Sequence, residues 1–135
     1  MTARILHSEE LALRWSEFSP MIALALKHGN GDITPHNLFM ECMSGQSQCW
    51  IIEEEDELYV VAITRLVRYV TYSEIQVVTT TGRGWFQYGV GALTQIENFG
   101  REMGCKYTTI NGRKGWARAL PEEYKTPYQI YMREL

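Results

Sequence analysis

The sequence predicts a single α/β domain with a mixed sheet. Three features carry the prediction: an N-terminal third patterned for helices, two β-branched and aromatic runs separated by an acidic tip, and a helix that closes through a glycine directly onto a strand. In the third, Gly104 supplies the left-handed residue that ends a helix, and Tyr107-Thr108-Thr109-Ile110 has the composition to enter a sheet at once.

From the N-terminus, Ser8 is expected to cap a first helix, with Glu9 and Glu10 in its first turn and Leu11, Leu13 and Trp15 following. Ser19-Pro20 restarts a second helix to about Lys27, and Gly29-Asn30-Gly31 stops it. Thr34-Pro35 starts a third helix, whose stripe of Leu38, Phe39 and Met43 lasts until Ser44-Gly45. Residues 49–52 and 58–63 then form an antiparallel hairpin around a solvated acidic turn at 53–57. A third strand over 69–78 slips phase, with Val70 and Tyr72 even but Ile75 and Val77 odd. Either a β-bulge at Ser73-Glu74 or burial on both faces accounts for the slip. A glycine-rich stretch leads into an amphipathic helix presenting Val90, Leu93, Ile96, Phe99 and Met103, then the strand at 107–110, a short helix and a last strand at 128–132.

A chain of 135 residues, 45% hydrophobic and 12% aromatic, supplies one apolar core and no more. One domain is expected over 1–135, with helices in 1–45 and the sheet and central helix in 46–135. The net charge of −3 comes without a basic stripe, which argues against nucleic acid as a partner. Glu9 and Glu10 arrive before a signal-like apolar run forms, and Lys27-His28 interrupts the helix far short of the ~20 apolar residues of a membrane span. A soluble, cytoplasmic protein is expected. Cys42, Cys49 and Cys105 are odd in number and set among apolar residues, as reduced core thiols would be. His7, His28 and His36 share no metal-site spacing with them, and no nucleophile triad is suggested by position, so no metal is expected.

The helix, glycine and strand around Gly104 resemble the middle of a GNAT-type N-acetyltransferase. The run Gly-Arg-x-Gly-Trp-x-Arg-x-Leu at 112–120 is similar to GNAT-like proteins encoded by tailed phages. The resemblance covers roughly residues 45–135 and is strongest over 96–120. It implies a largely antiparallel mixed sheet with helices on both faces, acetyl-CoA as the cofactor, and a fourth-strand bulge that splays the sheet to admit the cofactor arm, with Val78 among the cofactor contacts.

GNAT enzymes hold the cofactor diphosphate on backbone N–H groups at the N-terminus of their central helix, usually through Arg/Gln-x-x-Gly-x-Gly/Ala; glycines permit the close approach. Two partial matches exist, Gly82-Arg83-Gly84 and Gly89-Val90-Gly91. Glycine inside a helix costs about 1 kcal/mol against alanine, which favours Gly89 and Gly91 as the helix start. Phe86 then stands where Arg or Gln belongs, and Thr79 does so in the other register, with Arg83 left to supply a cation from the loop. The same glycines also suit tight helix-to-sheet packing.

For acetyl transfer the resemblance puts Glu74 in the place of the general base, against the plainer reading of a solvent-facing strand residue. The usual tyrosine acid is replaced by Ala119, and Tyr124 or Tyr128 would have to reach in from elsewhere. Arg113, Trp116 and Arg118 form a cluster suited either to a partner or to packing and helix capping. These departures make the leading expectation a phage-type GNAT-like protein that acts mainly through protein–protein interaction, in virion assembly or in contact with a host protein, located in the host cytoplasm or the virion. A protein partner or self-association is expected. The alternative is an active acetyl-CoA-dependent N-acetyltransferase of a protein or small amine.

Overall fold

A computed structural model describes residues 2–29, 31–112 and 116–135, with Phe86, Trp116 and Ala117 described by their backbone alone. Its elements, in chain order, are β1 (Arg4–Ile5), α1 (Ser8–Leu26), α2 (Pro35–Ser44), β2 (Ser47–Glu54), β3 (Glu57–Arg68), β4 (Ser73–Thr81), α3 (Trp85–Glu102), β5 (Tyr107–Ile110) and α4 (Trp116–Ala119). The strands form one sheet in sequence order, antiparallel from β1 to β4, with β5 parallel to β4. This is the mixed, largely antiparallel sheet expected, with α1 and α2 on one face and α3 on the other.

Alternation along the strands divides the core accordingly. Cys49, Ile51, Val61 and Ile63 face α1 and α2, where they meet Leu11, Phe18, Ile22 and Leu38; Trp50, Ile52, Val60, Ala62, Ile75 and Val77 face Ala92, Leu93 and Ile96 of α3. Polar groups within this core are paired. The Trp50 indole N–H donates to the Thr64 hydroxyl at 2.9 Å, and that hydroxyl donates to Gln48 Oε1 at 2.7 Å. The thiols of Cys42, Cys49 and Cys105 are free and pushed up by burial, as expected of core cysteines.

Several terminators act as the sequence predicts. Thr34 caps α2 in a reciprocal box with Asn37, with Pro35 in the first turn, and Gly45 ends the helix at φ +86°. At the end of α3, Cys105 N–H donates to the Gly100 carbonyl and Gly104 N–H to that of Arg101, a Schellman closure that needs the φ of +78° found at Gly104. The β2–β3 hairpin turns on Glu55 and Asp56, both at positive φ.

Other expectations are corrected. Pro20 does not restart a helix: α1 is continuous through it, and the hydrogen bond that proline removes belongs to the Ser16 carbonyl on the same exposed face, where water can replace it. His7, without a side-chain bond, takes the N-cap position foreseen for Ser8, and Leu13 is exposed. β1 was not foreseen. Gln95 of α3 fixes it by bonding both the N–H and the carbonyl of Ala3. The acidic tip is only partly solvated, because Glu53 pairs with Arg4 and Arg14. Along α3, Leu93, Ile96 and Phe99 meet the sheet as expected, joined by Tyr88 and Ala92, whereas Val90 and, at the C-cap, Met103 are exposed. Residues 128–132 form no strand; Tyr128, Ile130, Tyr131 and Met132 are exposed.

Candidate functional site

β4 and β5 part company halfway. Glu74 to Val77 pair with Tyr107 to Ile110, after which β5 ends while β4 continues to Thr81 beside β3 alone. At that point β4 carries an extra residue: Thr64 pairs with Val77 and Ile63 with Thr79, leaving Val78 bulged. The bulge is therefore four residues beyond Ser73-Glu74. The phase slip that suggested it comes from the β3–β4 turn, closed by Tyr69 N–H on the Tyr72 carbonyl at 2.8 Å. Between residues 78 and 81 the β5-side edge of β4 has no strand partner among the described residues, and Val78 sits at the apex of the opening.

The wide end of the opening leads to Gly82-Arg83-Gly84, directly before α3. Gly84 is the N-cap residue, so Gly89 and Gly91 lie inside the helix and the expected helix start is corrected by more than a turn. Glycine stands inside the helix at position 89 because the Trp85 indole lies over it, where an added Cβ would come within 2.8 Å of the ring. Packing outweighs the ~1 kcal/mol cost of a helical glycine.

The loop is held from within. β3 has its own bulge, since Ile52 pairs with Val60 and Glu53 with Leu58, which leaves Tyr59 extra and its carbonyl free. That carbonyl accepts the Gly84 N–H at 2.8 Å. A Cβ on Gly82, at φ +113°, would stand 2.4 Å from the same oxygen, and one on Gly84 would stand 2.7 Å from Tyr59 Cβ. Arg83 pairs with the Glu57 carboxylate and lies 5.3 Å over the Tyr59 ring, while the Tyr59 hydroxyl donates to Glu57 at 2.8 Å. Tyr59 and Glu57 thus engage the Gly84 N–H, the Arg83 guanidinium and the space on the inner side of both glycines. The residues present do not fit the diphosphate of acetyl-CoA at this loop.

A cleft of about 230 Å³ lies farther along α3, lined by Trp85, Gly89, Val90 and Leu93 on one side and Arg118, Ala119 and Leu120 on the other. Val90 is 56% exposed and Gly91 faces open space. Arg118 is exposed at this cleft, whereas Arg113 and the side chain of Trp116 lie outside the described residues, as does any contact among the three.

The narrow end of the opening holds the acid–base candidates. Glu74 is buried and accepts a hydrogen bond from the hydroxyl of Thr109. It is not the solvent-facing residue of the plainer sequence reading. The neighbouring Glu74 carboxylate pushes the Tyr69 phenol up to about 12. From Glu74 to the apex at Val78 is about 13 Å along the strand at ~3.3 Å per residue. Tyr69, Tyr72 and Tyr107 form a ladder beside the carboxylate, with ring centroids 5.1 and 5.3 Å apart.

Tyr124 lies on the opposite face, its hydroxyl donating to Glu97 of α3 at 2.6 Å. Burial first, and Glu97 second, push it well above the usual phenol range, away from the role of proton donor. Sequence reasoning missed Tyr59, Glu57, Tyr69, Tyr72 and Thr109. Only the Tyr-x-x-Tyr spacing around a two-residue turn was a usable signal for any of them. Among the described residues no group of three or more His, Cys, Asp or Glu is placed to hold a metal ion, and no helix is long and apolar enough to cross a membrane.

No protein-family model matches the chain. No curated protein matches it either. Solved structures do. An aminoglycoside acetyltransferase from an uncultured soil metagenomic sample, in complex with sisomicin, superposes with a TM-score of 0.71 at 12% identity, over 99% of this chain and 95% of its own. A ribosomal-protein-alanine N-acetyltransferase from Brucella melitensis biovar Abortus 2308 gives 0.69 at 12% over 100% of both chains. A glucosamine-6-phosphate N-acetyltransferase from Arabidopsis thaliana gives 0.63 at 12% over 100% and 99%. At these identities the likeness concerns architecture, and with the parted β4 and β5 it establishes that this chain has the GNAT fold.

Proposed function

We propose that the chain is an acetyltransferase-like protein that works mainly by protein contact, with acetyl transfer weak or lost. As in the GNAT-like proteins of tailed phages that its sequence resembles, the contact would serve virion assembly or the capture of a host protein. The observation that carries this reading is the occupation of the loop before α3 by the protein's own Tyr59 and Glu57, which removes the diphosphate anchor. The engagement of Tyr124 with Glu97 and the presence of Ala119 in place of a tyrosine acid support it.

The test is thermal melting with acetyl-CoA and CoA at millimolar concentration. A ligand that does not bind the native state cannot stabilise it, so the melting temperature should stay where it is. A rise of several degrees would overturn the proposal in favour of an acetyl-CoA-dependent N-acetyltransferase. Glu74→Gln should then lower turnover without weakening cofactor affinity.

A further inference from the structure

We propose that the tyrosine ladder at the narrow end of β4 receives a basic side chain, lysine or arginine, from a protein partner, with Glu74 as its counter-charge. The proposal rests on the protein-contact reading above and names the chemistry of the contact. Glu74 is 5% exposed, and among the described residues it forms no ion pair. By contrast, Glu10, Glu17, Glu41, Glu53 and Glu57 each meet an arginine. Its hydrogen-bond donor, the hydroxyl of Thr109, is neutral: it satisfies a lone pair and leaves the charge unbalanced. A buried carboxylate ordinarily has a cationic partner, because its desolvation is otherwise uncompensated.

The surroundings suit a cation from outside. Tyr69, Tyr72 and Tyr107 are 44%, 36% and 49% exposed, large aromatic surfaces left uncovered beside the carboxylate. Aromatic faces attract ammonium and guanidinium groups, and the ladder already holds one: Lys106 Nζ lies 5.4 Å from the Tyr107 centroid. Tyr72, between the other two rings, has no such cation among the described residues. Thr109 and Tyr107 are on the face of Glu74, because β5 runs parallel to β4 with Tyr107 beside Glu74 and Thr109 beside Gln76. The net charge of −3 favours a basic partner, and tyrosine opposite arginine or lysine is common chemistry at the centre of protein interfaces.

The probes are hexalysine and hexaarginine, with hexaglutamate as the control, titrated into the full chain and followed by NMR. Shifts should centre on Tyr72, Tyr107 and Thr109 for the basic peptides and be absent for hexaglutamate. Tyr72→Leu and Glu74→Gln should each weaken binding about tenfold, while Tyr72→Phe, which keeps the ring, should bind nearly as wild type. Equal binding by Tyr72→Leu, or shifts centred on the acidic hairpin tip at 53–57, would overturn the proposal. So would acetylation of hexalysine on adding acetyl-CoA, which would make the site an acceptor site. Peptide binding together with an acetyl-CoA-induced rise in melting temperature would refute the functional reading and keep this site; no peptide binding and a flat melting curve would do the reverse.

Discussion

The two ends of the β4–β5 opening use the same residue types to opposite effect. At the wide end, Tyr59, Glu57 and Arg83 satisfy one another and take up the space and the N–H of the glycine loop. At the narrow end, three tyrosines and a carboxylate leave ring faces uncovered and, among the described residues, a charge without a partner. The difference teaches where binding capacity remains. A cluster closed on itself contributes to stability and has little left for a ligand, whereas an unbalanced buried charge gains from one.

The largest effect expected from breaking this contrast is at Gly82. Valine there must adopt φ +113° and place its Cβ 2.4 Å from the Tyr59 carbonyl oxygen. Backbone strain and overpacking together should cost about 3–4 kcal/mol in a urea titration. A loss under ~1 kcal/mol would mean that the loop is not held against β3.

Next in size is a pair of isosteric changes. Glu41 bonds Arg65 through both carboxylate oxygens, at 2.7 and 2.9 Å, in a half-buried setting, so Glu41→Gln should destabilise by about 1–2 kcal/mol. Glu74→Gln keeps an acceptor for the Thr109 hydroxyl and removes an unbalanced charge, and it should leave stability unchanged or raise it by up to ~1 kcal/mol. Comparable losses for both would show that Glu74 is as well compensated as Glu41.

How far these sites were legible in the sequence depends on the range of the interaction. Gly104, the Thr34-Pro35-x-Asn37 box and the hairpin were readable because a few adjacent residues determine each. The continuous α1 was not, since whether Pro20 breaks a helix depends on which carbonyl it orphans and whether water reaches it. The start of α3 was misplaced because the reason for Gly89 is the ring of Trp85, and the role of Gly82 and Gly84 was hidden because it depends on a β3 bulge more than twenty residues away in the chain. Glu74 was found through family resemblance, while Thr109 and the tyrosines around it appeared only once β5 was laid beside β4.

Acid should separate the paired carboxylates from the rest by a smaller amount. Arginine contacts hold Glu53 below the usual carboxylate range, hold Glu10 down at about 2, and lower Glu41 against its burial. Groups depressed on folding stabilise the protein above their unfolded value near 4.5, and that contribution is lost as pH falls from there toward about 2. Partial exposure screens these pairs, so the loss should be on the order of 1 kcal/mol in total. Arg14→Gln, which removes the partner shared by Glu10, Glu17 and Glu53, should flatten the decline between pH 4.5 and about 2 measured by denaturant titration. An unchanged slope would mean that these exposed pairs contribute nothing in solution.

The smallest effect separates the two glycine pairs themselves. Gly82 and Gly84 are required by what touches them, but Gly91 lies in an α3 turn with nothing within 4 Å of the position its Cβ would occupy. Nothing in the fold itself demands a glycine there. Alanine restricts the unfolded chain and suits the helix, so Gly91→Ala should stabilise by about 0.5–1 kcal/mol. The same change at Gly84 meets Tyr59 and Tyr88 below 3 Å and should destabilise. Opposite signs in paired urea titrations would confirm that α3 begins at the loop clasped to Tyr59. A loss at Gly91 similar to that at Gly84 would mean that the backbone at 89–91 is not helical, and the helix start would return to the position that the glycine spacing first indicated.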